Sequence, residues 1–577
     1  MGTSRLRLLL AAVSLAAGAC RVESADGRAS AADAAAADAA AADTLPVRFT
    51  VDAGRRYPIS PFIYGINFYG GAPGRNMPAW PRHVTVSRMG GNRLTAYNWE
   101  SNASNAGLDY NFQNDNYLGG GSIPGEAVRV FVEGARRKGA AAIVTVPMIG
   151  YVARDIDGTS VGTEPATVRA RLAARFVRSY PRKPAPLSAL PNPEDDAVYQ
   201  DEFVAWLGRT FPDAFTGGSR PIFVTLDNEP DLWGSTHEEI MPKVAGKSAV
   251  LTYDDLIDRT IAYASAIKDV APQATIFGPG TATWAGAATL GRYPSPDPKY
   301  GKQFFLDVYL ARLRAAERAA GRRLVDVLDI HWYPAAGADG AEISNDQAPQ
   351  NAAMVEARLQ APRSLWDPTY NERSWVSDVQ GGPIRLIPLL REKVAAHYPG
   401  TRIGITEYYY GRGGDISGGI AQADVLGIFG REGVFAATLW PHAKLSAIPY
   451  GGSPDRAYRY VISAFRMFRD YDGRGSAFGA VGLGARTSNP VATSVYASTD
   501  DSTAARLVVV AINKRPTPRE AVLDVAGGRA GWRTAEIYHV GEGTPDPKRA
   551  PDLPVSGGTT LRYTMPPMSI STLVLRP

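Results

Sequence analysis

Two carboxylates are conspicuous for where they fall. In "VTLDNEPDLW" (224–233) an apolar run, Val224 to Leu226, ends on Asp227, Asn228 and Glu229 and is closed by Pro230. In "ITEYYYG" (405–411) a second such run ends on Glu407. Groups that resist burial are costly at the tip of a buried strand unless they do something there. Cleaving a glycosidic bond needs two carboxyls, one protonated to assist the departing oxygen and one ionised to stabilise or attack the anomeric carbon. Glu229 suits the general acid/base: Asn228 beside it can bond a sugar 2-hydroxyl, and apolar or aromatic neighbours would raise its pKa. Glu407 suits the nucleophile, with the Tyr408 hydroxyl and His331 as neighbours that keep it ionised and oriented. A single glutamate is more often solvated or salt-bridged; two at matching strand ends shift that weighting.

These residues need a scaffold that brings strand ends together. Eight β-branched or aromatic runs lie between about 62 and 450: "FIYGINF" (62), "HVTVSRMGG" (83), "AAIVTVPMIGYV" (141), "PIFVTLDNEP" (221), "ATIFGPGTA" (274), "VDVLDIHWYP" (325), "RIGITEYYYG" (402) and "VFAATLWP" (434). Amphipathic helical stretches separate most of them, the first helix being the one not obvious. That alternation predicts a (β/α)8 TIM-like barrel, whose active site is built where the strands end. The polar and aromatic load falls there: Arg88 and Asn92 after the second run, Asp227 to Glu229 at the fourth, His331 and Tyr333 at the sixth, Glu407 and Tyr408 at the seventh, Trp440 at the eighth. Nine of ten tryptophans precede residue 450, so flat rings for stacking on sugar faces are expected there. Trp206 reads as core, whereas Trp233, Trp332, Trp366 and Trp440 read as cleft-lining.

After about residue 470 short strands broken by Gly, Pro, Asn and Asp predict a C-terminal antiparallel β-sandwich. "VRFTVDAG" (47–54) is an N-terminal strand able to complete it. The expected organisation is a signal over 1–20, an Ala/Asp-rich disordered tether over 21–45, and the sandwich strand over 46–61. The catalytic barrel follows over 62–450, then its last helix and the sandwich over 451–577. "MGTSRLRLLLAAVSLAAGAC" has the order of a secretory signal, and Cys20, the only cysteine in the chain, follows small residues as in a bacterial lipoprotein signal. The expectation is an exported protein, lipid-anchored through Cys20 at the cell envelope or surface, or otherwise secreted, folding without internal disulfides. A net charge of +5 without clustered basic residues leaves no footprint for nucleic acid. Contact with a membrane is expected only through that anchor, and a monomer is expected.

The chain resembles glycoside hydrolase family 44, endo-acting β-1,4-glucanases of which several act on xyloglucan. The resemblance rests on "SRMGGNRLTAYNWESNASNAGLDY" (87–110), "LDNEPDLW", "LDIHWYP" (328–334), "SLWDPTYNERSWV" (364–376), "ITEYYYG", "GGIAQADVLGIFGREGVFAATLW" (418–440) and "DYDGRGSAFG" (470–479). It implies a retaining mechanism with Glu229 as acid/base and Glu407 as nucleophile. The expected substrate-binding set is Arg88, Asn98, Trp99, Asn228, Trp233, His331, Tyr333, Trp366, Tyr408 and Trp440. Tyr409 stands where the family more often has asparagine. No cofactor is expected for catalysis; family members can hold a structural calcium, for which "PNPEDDAVYQDE" (191–202) is a candidate beside the alternative of solvated loop charge. Alternatives are the same chemistry on β-mannan or xylan, or a non-catalytic glycan-binding protein. "GTSVG" (158–162) lacks the strand–turn–helix setting of an esterase nucleophile. "HEEIM" at His237 lacks the second histidine of a zinc-protease motif, so no catalytic metal is expected.

Overall fold

The computed structural model describes residues 46–68, 84–188, 190–292, 296–441, 454–500, 506–527 and 531–577. The signal, the tether, Cys20, Trp80 and the connection expected to carry the first barrel helix lie outside the described residues. Strand β1 (Val47–Pro58) is followed by eight strands that form a closed parallel barrel: β2 (Phe62–Asn67), β3 (Val86–Met89), β4 (Ala141–Val146), β5 (Ile222–Leu226), β6 (Ile276–Thr281), β7 (Val327–Trp332), β8 (Arg402–Tyr408) and β9 (Ala436–Leu439). Closure comes from β9 pairing with β2, Ala436 opposite Phe62. All eight expected runs supply a barrel strand.

The helices between them are those the apolar periodicity marks: α1 (Glu126–Arg137), α2 (Gln200–Thr210), α3 (Tyr253–Val270), α4 (Phe305–Ala320), α5 (Leu386–His397), α6 (Ile416–Arg431) and α7 (Arg459–Arg469). In α1 the residues Ala127, Val128, Phe131, Val132 and Ala135 are buried, one stripe of a 3.6-residue period. Helix α3 starts on a reciprocal cap between Thr252 and Asp255, which satisfies two otherwise orphaned N–H groups. Inside the barrel, near where the strands begin, Phe62, Val86, Ile143, Phe223, Phe277, Val327 and Phe435 form one apolar plug.

The second domain is a nine-stranded sheet curled around its own core, formed by β1, β10 (Val481–Thr487), β11 (Thr493–Thr499), β12 (Leu507–Asn513), β13 (Arg519–Ala526), β14 (Thr534–Gly541), β15 (Thr544–Pro554), β16 (Thr560–Met565) and β17 (Ser569–Arg576). Its order is β15-β14-β17-β12-β11-β10-β1-β13-β16. The pairing is antiparallel except for β1 with β13. Two strands are additions to the sequence reading: β10, diluted by glycines, and β15, interrupted by four prolines. Strand β15 is an edge of the sheet, where a residue without an N–H does least harm.

The two domains share a buried face. Along β12, Leu507, Val509 and Ala511 enter the sandwich core while Val508, Val510 and Ile512 join the barrel-side core, as a two-residue period requires. Asp424 on α6 accepts hydrogen bonds from the Tyr496 hydroxyl (2.5 Å) and Lys514 Nζ (2.6 Å) at this buried junction. Removing either partner of a buried ion pair strands the other charge.

Candidate active site

Strand alternation decides which side chains reach the barrel interior. On β7 the residues Asp329 and His331 face inward, and Tyr333 continues that side beyond the strand end. On β8, Gly404 faces inward, since a Cβ there would stand 3.0 Å from Val327 and 3.3 Å from Phe277. Thr406 does too, its hydroxyl donating to Asp329 Oδ2 (2.7 Å). Simple alternation would send Glu407 outward. The β7–β8 register instead skips a residue, with Ile330 opposite Ile405 and His331 opposite Glu407, so the irregularity re-aims Glu407 into the barrel. At the tip of β5, Asp227 (φ 63°) and Glu229 (φ 43°) adopt left-handed backbone, a conformation that costs about 1–3 kcal/mol for non-glycine residues. The Glu229 N–H donates to Gly280 O (3.0 Å) on the neighbouring strand, which holds that turn.

These local choices bring Glu229, His331 and Glu407 together, one donor atom of each lying within 4.8 Å of the other two. Their surroundings differ. Glu407 Oε1 accepts from Arg88 Nη1 (2.6 Å) and Oε2 from the Tyr333 hydroxyl (2.9 Å), two donors that fix the orientation of the carboxyl. Among the described residues Glu229 has no such partner on a cation; burial pushes its carboxyl up to about 7, Arg88 pulling the other way and Asp109 adding to the rise. His331 Nδ1 lies 2.9 Å from Glu229 Oε1 and 3.5 Å from Glu407 Oε2. Burial holds this imidazole down to about 4, so it is neutral at pH 7. Its Nε2 meets no hydrogen-bond partner among the described residues, and an orphaned N–H is worse than an orphaned lone pair. The proton therefore sits on Nδ1 and donates to Glu229 Oε1, leaving Oε2 to carry the acid's own proton. Two carboxylates and a histidine could also take a metal ion. Here the guanidinium of Arg88 already occupies the cationic place against Glu407, and a second cation beside it would be repelled.

The sequence profile of glycoside hydrolase family 44 matches residues 103–336. Endoglucanase A of Paenibacillus lautus is 35% identical over 541 residues, covering 92% of this chain and 72% of that protein. The chain belongs to glycoside hydrolase family 44. A family 44 xyloglucanase from Paenibacillus polymyxa, solved with xyloglucan, superposes with a TM-score of 0.82 at 34% identity, over 92% of this chain and 99% of that one. The β-mannanase/endoglucanase A of Caldicellulosiruptor saccharolyticus is 34% identical over 523 residues, 87% of this chain but 37% of that longer protein.

In this family 44 hydrolase a second set of side chains supports the first. Asn228 Oδ1 accepts from Arg88 Nη2 (2.8 Å) and from the Gly91 N–H (3.0 Å), which fixes the amide so that its NH2 is the group left to offer. Asn67, at the end of β2, donates to the carbonyls of Thr406 (3.0 Å), Thr438 and Leu439 and accepts from Arg88 Nη1 (3.3 Å). It thereby ties β2, β8 and β9 at the site. Asp227 accepts from Thr95 Oγ1 (2.6 Å), from the Asn228 N–H (2.7 Å) and from the Met148 N–H; burial still raises it to about 6. Asn67 and Asp329 are additions to the sequence reading, although Asn67 is the polar end of "FIYGIN" and obeys the rule that exposed the others.

Several expected sugar contacts lie elsewhere, and strand parity or packing explains each. Tyr408, next to the re-aimed Glu407, points outward, its hydroxyl accepting from Gln422 Nε2 (2.9 Å) and its ring edge-on to Phe429 of α6; Tyr333 takes the place against Glu407 that Tyr408 was expected to fill. Trp99 stacks on Phe203 in the core, and Asn98 closes a turn, donating to Ala153 O (2.9 Å) and accepting from the Glu100 N–H. Trp233 and Trp332 are each 1% exposed; the Trp233 indole N–H donates to Asn228 O (3.2 Å) beneath the site. Trp366 lies under the Arg431 guanidinium (4.1 Å). Arg431 follows Gly430, which packs on Ile59 and Ile63 where the barrel strands begin, so Trp366 is at the wrong end of the barrel for a cleft. Half-buried Trp440 stays at the strand-end face. Its ring lies against Gly91 (φ 88°), where a Cβ would come within 2.8 Å. Ser160 of "GTSVG" is exposed on a two-residue strand, and helical residues begin only at Pro165 rather than directly after the serine as a nucleophile elbow would need.

Proposed function

We propose that this chain is a retaining, endo-acting hydrolase of β-1,4-glucan backbones, with xyloglucan among its substrates. The reading is carried by one observation: two carboxyls with oxygens within 4.8 Å, one raised to about 7 by burial and the other held by Arg88 and Tyr333. Such closeness suits retention, for which the carboxyls stand about 5–5.5 Å apart, rather than inversion, which needs room for water. Glu407 attacks the anomeric carbon as the bond to the departing oxygen breaks, and the proton on Glu229 passes to that oxygen. Glu229, now a carboxylate, takes a proton from water as the water oxygen displaces Glu407 from the glycosyl ester. Asn228 offers its NH2 to the 2-hydroxyl, a contact that strengthens as the transition state forms.

Proton NMR of the first-formed product tests the mechanism: the newly freed anomeric carbon should keep its β configuration, and an α product would overturn it. A reducing-sugar assay across glucan, xyloglucan, mannan and xylan tests the substrate. The mannanase/endoglucanase relative and a glucanase–xylanase at 30% identity are the reason mannan and xylan belong in it. Loss of viscosity in soluble β-glucan separates this reading from a binding protein without activity.

Two accompanying proposals rest on charge. Glu100, buried and raised to about 8 by burial and then by Asp195 and Glu202, joins the acidic 191–202 stretch, where Glu202 is paired with Lys183 (2.8 Å) and keeps one oxygen unpartnered among the described residues. Mutually repelling buried oxygens of this kind suit a calcium ion, which would be structural. The Arg5/Arg7 and Leu8–Ala17 order ahead of Cys20 supports export with a lipid on Cys20; mass spectrometry of the mature N-terminus tests it.

A further inference from the structure

We propose that His237 is a positioning residue for the reaction read above. In this proposal it is a doubly protonated imidazole, paired with Glu239, that grips the main-chain carbonyl of Asn92 and so holds the Gly91–Asn92 segment against Asn228. The proposal rests on the assignment of Asn228 and Glu229 to the reacting end of the site.

His237 and Glu239 belong to "HEEIM", the stretch whose resemblance to a zinc-protease motif fails, and both are fully buried. His237 Nε2 lies 2.9 Å from Asn92 O, and Nδ1 lies 2.6 Å from Glu239 Oε1. A carbonyl oxygen only accepts, so Nε2 must carry a hydrogen. An ionised carboxylate also only accepts, and two facing lone pairs would repel at that distance. A second proton therefore lies between Nδ1 and Oε1. Burial opposes a charged ring, but Glu239 overrides it and raises the proton affinity of His237 above the ordinary imidazole value. The charged groups around the pair are Asp227 at the tip of β5, which the imidazolium helps to hold ionised, and Arg171, whose Nε donates to Glu239 O (2.8 Å). Asp109 faces the other side of Asn92, accepting from its Nδ2 (2.9 Å).

The gripped segment is the one that touches the site. The Gly91 N–H donates to Asn228 Oδ1 (3.0 Å), Asn92 Oδ1 lies 3.5 Å from Asn228 Nδ2, and Thr95 reaches Asp227. Four residues before Asn92, Arg88 holds Glu407 and Asn228. His237 thus anchors the main chain that aims the Asn228 amide. The ring fits against Gly107, where a Cβ would stand 3.0 Å from the imidazole carbon between the nitrogens.

Two measurements test this. In the intact wild-type enzyme, nitrogen-15 NMR of the six histidines should show His237, assigned by its loss in His237→Ala, with two N–H protons at pH 7.5. A neutral ring there would overturn the imidazolium, whatever the enzyme's substrate. The second is a double-mutant cycle on xyloglucan, run well below the melting temperature of every variant. His237→Ala should lower kcat at least tenfold with KM within about threefold, yet cost less than about threefold when added to Asn228→Ala, because the two act through one contact. Equal losses in both backgrounds would mean that His237 serves only the fold and would overturn the positioning role. Glu239→Gln, which can donate to a neutral ring and keep the Asn92 contact, should retain kcat within about threefold; a loss matching that of His237→Ala would contradict the clamp. An enzyme inactive on every β-glucan would instead sink the reading of the site while leaving the NMR result standing.

Discussion

The eight barrel strands present two opposite chemistries at their two ends. Where they begin, Phe62, Phe223, Phe277 and Phe435 pack ring against ring with centroids 5.0–6.0 Å apart, closing the barrel with apolar contact. Where they finish, Asn67, Arg88, Asp227, Asn228, Glu229, Asp329, His331 and Glu407 crowd into space that is nearly as dry. The first end gains stability from burial. The second gives some up: two left-handed residues, three carboxyls raised by burial and an imidazole nitrogen unpartnered among the described residues are all unfavourable in isolation. The difference teaches that fold and chemistry are divided along each strand rather than between strands.

Substitutions at the two ends should therefore fail in opposite ways. The largest effect is expected from Glu407→Ala, which should lower kcat on the order of 10⁴-fold or more; added azide should then yield a glycosyl azide detectable by mass spectrometry, and no such adduct would remove Glu407 from the nucleophile's role. Glu229→Gln should cost roughly 10²–10⁴-fold in rate on substrates with poor leaving groups. It should also change stability with a definite sign. Folding raises Glu229 from 4.5 to about 7, so its ionisation costs the folded state progressively as pH rises through that window. The glutamine variant should melt above wild type at pH 8 and level with it at pH 4, as read by calorimetry; a lower Tm at pH 8 would contradict the burial argument. At the other end, Phe223→Ala should destabilise by about 3–5 kcal/mol in urea melts while kcat per folded molecule stays within twofold. The smallest effect is expected away from both ends: chelation should lower Tm by about 1–3 °C, restored by calcium, and Glu100→Gln should abolish that response.

Much of this division could be read before any coordinates. Each barrel strand is a short apolar run, most helices between them have one buried stripe, and polar residues gather at the end of most of the runs, so barrel, sandwich and the convergence of Glu229 and Glu407 were legible. What stayed hidden depended on a single register irregularity and on packing. Counting twos along "RIGITEY" from inward Gly404 and Thr406 places Glu407 outside and Tyr408 inside, the reverse of what the skipped residue at Thr406 produces. Tyr333 was therefore undervalued and Tyr408 overvalued as partners of Glu407. Tryptophan misled for another reason: the ring that would stack on a sugar is the ring that fills a core, and Trp99, Trp233 and Trp332 do the second. Strand β15 escaped because its prolines argue against a strand everywhere except at an edge.

The parallel pairing of β1 with β13 has a consequence for how the molecule is made. Its two partners, Val481–Thr487 and Arg519–Ala526, lie more than 420 residues downstream in the same chain. A ribosome working from the amino terminus delivers the first strand of the sheet long before anything exists for it to join. The barrel can close in the meantime, but the sheet cannot be completed until synthesis is nearly over, leaving an exposed edge that invites wrong partners. Termination after the barrel is complete but before Val481 would release a barrel trailing an unmatched strand, so the last hundred residues act as a checkpoint on Val47–Pro58.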